Sequence, residues 1–150
     1  MTLTRAVAAF LGTQLVATAW AVVYRLPSQF GGRGAPDQVF RDFWSHGTAL
    51  SAPAPILLVV GILSLLTRRR GRAGTIATPI LMLLMAVALI TGVLEPAVRQ
   101  ALRGSFPLLE RTGILLLTAV GLTLALLVMV AAGRGLRHGT VSGSATEGAT

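Results

Sequence analysis

Four stretches of this chain run for 19 or 20 residues without a single Asp, Glu, Lys or Arg: Ala6–Tyr24, Thr48–Leu66, Ile76–Leu94 and Gly113–Ala132. An α-helix rises about 1.5 Å per residue, so about 20 residues cross a hydrocarbon core of roughly 30 Å. Uncharged runs of that length, separated by charged loops, predict membrane helices. A soluble fold would need a polar shell around such helices that 150 residues cannot supply. The expected fold is therefore an all-α integral membrane protein, a four-transmembrane-helix antiparallel bundle with spans at about 6–24, 48–67, 76–94 and 108–132. The remainder, 133–150, ends in the small, polar "GTVSGSATEGAT" and reads as a disordered cytoplasmic tail.

The first run has a competing reading as a signal peptide, with Arg5 as its basic start and "AWA" at Ala19–Ala21 as a cleavage site. The apolar run continues through Val22, Val23 and Tyr24, which favours retention as a membrane anchor. The net charge of +8 would suggest nucleic acid in a soluble protein, but here the arginines cluster at the ends of apolar runs and no basic face with interleaved aromatics exists. Nucleic acid is not an expected partner; the lipid bilayer is. Cysteine is absent, which excludes disulfides, cysteine-held iron–sulfur clusters and thioether-attached haem.

Orientation follows from the loop "TRRRGRAGT", where Arg68, Arg69, Arg70 and Arg72 crowd together without an acid. Positive residues mark the cytoplasmic side, so a multi-pass protein of the cell membrane with both termini inside is expected. Arg5, Arg134 and Arg137 agree. The aromatics are polarised too: Trp20, Tyr24, Phe30, Phe40, Phe43, Trp44 and Phe106 fall at or beyond the outer interface. In the first outer loop Val39, Phe40, Phe43 and Trp44 recur at helical spacing, predicting a short amphipathic helix on the membrane surface or one continuous with the second span, kinked near Pro53 and Pro55. In the second, Pro96–Arg103 predicts a helix closed by Gly104, with Glu95, Arg99 and Arg103 on one face; Glu110 falls in the first turn of the last span. Small residues every fourth position (Ala9, Thr13, Ala17 and Ala21; Ala88 and Gly92; Gly121 and Ala125) predict close helix packing within the chain or a homo-oligomer seam.

His46, Glu95 and Glu110 are brought by this topology to the outer end of the bundle, and two carboxylates with an imidazole suit a divalent metal. The plainer reading has them end their helices at the lipid–water boundary beside arginines, with His46 positioning its loop by a hydrogen bond to Asp42 or Glu95. His46 is also the one residue that could serve a cofactor. No cofactor is expected, since His138 lies in the tail on the opposite side and haem for electron transfer usually takes two axial ligands.

In helix count alone the chain resembles the small multidrug-resistance exporters, whose transport depends on a Glu within the first span. The comparable residue here is Gln14, between Thr13 and Thr18, which carries no proton and so departs from that mechanism. Gln14 is expected to hydrogen-bond a neighbouring helix. No nucleophile–base pair, phosphate loop or nucleotide fingerprint is present, so catalysis is not expected. The sequence favours a non-catalytic helical-bundle component that assembles with itself or with a larger membrane complex. Two alternatives stand beside it: an oligomeric small-solute transporter or pore, and an outer-face metal-, haem- or quinone-handling redox protein using His46.

Overall fold

The computed structural model describes residues 2–27, 36–69 and 71–141, with the side chains of the last helix as far as Arg134. Arg70, Phe30 and the terminal 142–150 lie outside the described residues. Six helices follow in order: α1 Leu3–Val23, α2 Val39–Asp42, α3 Ala54–Leu66, α4 Arg72–Leu94, α5 Pro96–Leu102 and α6 Leu108–Val141. The chain is all-helical among the described residues, and three of these helices are long and apolar enough to cross a membrane: α1, α4 and α6 over Leu108–Arg134. Helix α6 runs on to Val141, past the expected end of its span at 132.

The second apolar run departs from expectation. A helix was expected over 48–67, but only Ala54–Leu66 is helical. Its 13 residues make a rod of about 20 Å, short of a bilayer core. Pro53 is the physical reason, because its ring disfavours helical backbone at the residue before it, and it serves as the N-cap of α3. Residues 48–53 are irregular, yet most of their backbone donors are satisfied. Thr48 N–H donates to the Ser51 carbonyl at 2.9 Å and Ala49 N–H to the Leu26 carbonyl at 3.3 Å. Leu50 N–H reaches Thr48 Oγ1 at 3.3 Å, Ala52 N–H reaches Gln14 Oε1 at 3.2 Å, and Pro53 has no N–H to place. Helix α2 is a single turn capped at Phe43; the turns that follow it end at Gly47, with a positive φ of 82°, so the continuous kinked helix is not formed.

Helix ends elsewhere follow local chemistry. Thr2 caps α1, its hydroxyl accepting from Arg5 N–H. At the other end Arg25 takes a left-handed φ of 53°, while Leu26 N–H donates to the Ala21 carbonyl and Arg25 N–H to that of Val22. That pair of bonds consumes carbonyls the helix would otherwise leave open. Helix α5 closes in the same way with the expected Gly104, φ 80°, and Ser105 N–H on the Gln100 carbonyl. Pro79 interrupts the ladder of α4, where the hydroxyls of Thr75 and Thr78 bond carbonyls one turn back.

Helix α6 packs against both α1 and α4, and α3 lies against α1 and α4. One core cluster joins Val7, Phe10, Val60, Leu81, Met85 and Val128; a second joins Ala21, Leu26, Val39, Ala97, Ala101 and Ile114. Of the small-residue stripe on α1, Ala17 and Ala21 are buried and Ala9 is exposed, so it is in part a contact face. The outward faces are apolar: Leu15, Leu58, Ile62, Leu83, Ile90 and Leu116 are all exposed. Such a surface is unstable in water and ordinary against lipid. Arg68 Nε donates to Thr4 Oγ1 at 2.9 Å, tying the start of α1 to the end of α3 and gathering Arg5, Arg68, Arg69 and Arg72 at one end.

Candidate functional site: a cavity at the His46 end

The irregular segment 48–53 forms one wall of a partly open cavity of about 350 Å³ that α1, α4 and α6 also line. Polar groups reach it from every side: Gln14 on α1, Ser51 on the segment, Thr91 on α4, Thr118 on α6, and Glu95 and His46 at the loop end. Away from that end the lining is apolar, with Phe10, Leu84 and Ala125, of which Phe10 and Ala125 are buried. Non-helical backbone is tolerated at membrane depth where it is buried in protein or lines such a space. The cavity and the break in the second apolar run are therefore two aspects of one construction.

Gln14 sits halfway along α1 and is 8% exposed. Its expected partner was a neighbouring helix; the structure pairs it instead with the backbone just before α3. Ala52 N–H can only donate, so the oxygen of the Gln14 amide is the atom that meets it. The orientation of the amide is thereby assigned, and its nitrogen is turned away toward Gly121. A β-carbon built on Gly121 would touch Gln14 Nε2 at 3.6 Å and no other atom within 4 Å. Gly121 is thus small where the cavity needs space.

His46 and Glu95 line this same cavity, and Glu110 does not. Glu110 lies half-buried in the first turn of α6. Among the described residues no group of three or more His, Asp or Glu side chains is placed to hold a metal ion. The His46 ring is exposed, and its Nδ1 lies 2.8 Å from Ser45 Oγ, a partner the sequence reading did not name. Its link to Asp42 runs through the backbone: the Asp42 carbonyl accepts from Ser45, His46 and Gly47 N–H groups at 3.0, 2.7 and 2.9 Å. Glu95 is 7% exposed. Its backbone is extended (φ −57°, ψ 125°) between α4 and α5, where it is the N-cap of α5 and its carbonyl accepts from Val98 and Arg99 N–H. Arg99 and Arg103 are exposed.

Sequence reasoning missed the cavity's Thr91, Thr118 and Gly121 as members of one site. The available signal was weak: a few hydroxyls scattered within uncharged runs, each able to satisfy itself on its own helix. Thr91 does so, donating to the Val87 carbonyl at 2.9 Å.

The described residues form a helical protein with three helices of membrane-spanning length and composition and a cavity between them. No protein-family model, curated protein or solved structure matches this chain.

Proposed function

We propose that this chain is a non-catalytic integral protein of the cell membrane whose bundle holds a small, mostly apolar molecule in the cavity at its His46 end. It acts in this role as a component that associates with itself or with a larger membrane assembly. Residues 48–66 make a fourth crossing, one part helix and one part irregular segment. Both termini face the cytoplasm, a reading supported by the arginines gathered at the end opposite His46.

The cavity carries this reading. Binding sites are concave, mostly apolar spaces of about 300–1,000 Å³ with a few convergent polar groups. The space here meets that description, at about 350 Å³ with hydroxyl, amide, imidazole and carboxylate groups on its wall. A conducting path would have to pass between Phe10, Leu84 and Ala125, which are packed as core; this favours binding over passage.

The test is titration of purified protein in mild detergent with 2-methylnaphthalene, blanked against empty micelles. One saturable site per chain is expected in the wild type and none in Ala88→Trp, whose indole fills the space beside Gly92 and Thr91. Equal uptake by both proteins would show partition into the micelle and remove the reading.

A further inference from the structure

The Gln14 amide is half used. Its oxygen accepts from Ala52 N–H, and its nitrogen makes no hydrogen bond to any described residue although the side chain is more than nine-tenths buried. The nitrogen keeps accessible surface and is not sealed in the core, so whatever fills the cavity is what its two open N–H bonds meet. Relaxation by flipping the amide is blocked. Flipped, it would set N–H against the Ala52 N–H and lose the bond that supports the irregular segment. The nitrogen is therefore held as a fixed donor on the cavity wall. Opposite it stands Gly121, where a side chain would meet the nitrogen and little else.

Apart from the neutral hydroxyls of Ser51 and Thr118, the cavity wall that Gln14 shares is largely apolar, with Phe10, Leu84, Leu117 and Ala125 on it. A fixed neutral donor in such surroundings selects an acceptor that carries no charge, because an anion would lose its hydration for one neutral hydrogen bond. Resting on the cavity reading above, we propose that the ligand is an uncharged lipophilic molecule bearing a carbonyl oxygen, seated with that oxygen on Gln14 Nε2 and its apolar body toward Phe10 and Ala125. A flat ring ketone such as a quinone and the acyl ester of a lipid share this chemistry.

The experiment compares matched probes on the intact chain in mild detergent. Menadione carries two ring carbonyls, and 2-methylnaphthalene is the same skeleton without them. Menadione is expected to bind about 3- to 10-fold more tightly, the yield of one net hydrogen bond. Gln14→Met keeps the length of the side chain and removes both N–H donors, and it is expected to abolish the preference. Gly121→Ala leaves the Ala52 bond in place, covers the amide nitrogen with a methyl, and is expected to have the same effect. It keeps the test decisive if Gln14→Met fails to fold. Methyl decanoate separates the two sources. Gln14-dependent binding tighter than that of menadione identifies an acyl ester, and weaker binding identifies a ring. Equal affinity for menadione and 2-methylnaphthalene would overturn the inference while leaving the cavity reading standing. Binding of none of the probes would overturn both.

Discussion

The indole of Trp20 lies against α6 at Gly113, so close that a β-carbon there would overlap the ring and its Nε1. Tyr24 also meets the Trp20 ring, with centroids 4.6 Å apart and planes tilted by 32°. The absence of a side chain at Gly113 is thus what lets α1 and α6 approach at this level. Gly113→Ala is expected to destabilise the bundle by about 1–3 kcal/mol through overpacking. Trp20→Phe in the same chain should recover part of that loss, because the smaller ring vacates the clash and removes an Nε1–H that is buried without a partner among the described residues. A double-mutant cycle from reversible unfolding in detergent measures this coupling. Additive losses would show that the contact does not govern the spacing of the helices.

Two left-handed residues make opposite predictions. Gly47 holds a φ of 82°, and a β-carbon there would lie 2.6 Å from the Ser51 carbonyl oxygen. Gly47→Ala should therefore cost about 1–3 kcal/mol. Arg25 holds a φ of 53° with a side chain already present, so Arg25→Gly should stabilise the fold by about 1 kcal/mol. The same unfolding measurement on both variants must give shifts of opposite sign.

How much of this was legible in the sequence differs between elements. Helices α1, α4 and α6 could be read because an uncharged run of span length has few other structures open to it. The second run misled because hydropathy counts apolar residues and ignores backbone donors. The Ala, Leu, Ile and Val of the run raise its average, whereas Thr48, Ser51 and Pro53 favour an irregular path. Their partner Gln14 lies 38 positions from Ala52 along the chain, and no spacing rule connects the two. The Trp20–Gly113 contact was hidden for the same reason, since a glycine in an apolar helix carries no mark of what it faces. Of the expected site, His46 and Glu95 could be placed at one end by topology alone, but their common cavity depended on the break before α3.

His46 is expected to position its turn. Its Nδ1 meets Ser45 Oγ while its backbone N–H joins two others on the Asp42 carbonyl. His46→Gln retains a side chain able to reach Ser45 and should lower stability by about 1 kcal/mol, with folding and membrane insertion preserved. A stoichiometric metal or a Soret band in the purified wild type, absent from His46→Gln, would instead make this residue a ligand.

Topology can be tested on a background without endogenous thiols, because the chain contains no cysteine. Arg69→Cys places an exposed thiol in the loop between α3 and α4. An impermeant maleimide should leave it unlabelled in intact cells and label it after permeabilisation. Labelling without permeabilisation would invert the orientation.

Retention of the first helix is checked by intact mass. Ala6, Val7, Phe10, Ala17 and Ala21 of α1 are all core residues, and removing the chain up to "AWA" would strip the other helices of that face. The purified protein should retain this segment; a chain starting at Val22 would contradict the four-crossing proposal.

The shortness of α3 has a consequence for the surrounding lipid. Its neighbour α4, with 23 residues, is about 34 Å long, against about 20 Å for α3. The apolar belt around the protein is therefore uneven in height, lowest on the flank where Leu58, Val59, Ile62 and Leu65 face outward. On the four-crossing proposal, acyl chains beside the helical part of that flank would compress or tilt to match it, at a cost of a fraction of a kcal/mol per Å. Bilayers of shorter chains should relieve that strain, so the protein is expected to gather thin-bilayer lipids on one side and to sort toward thinner regions of a mixed membrane.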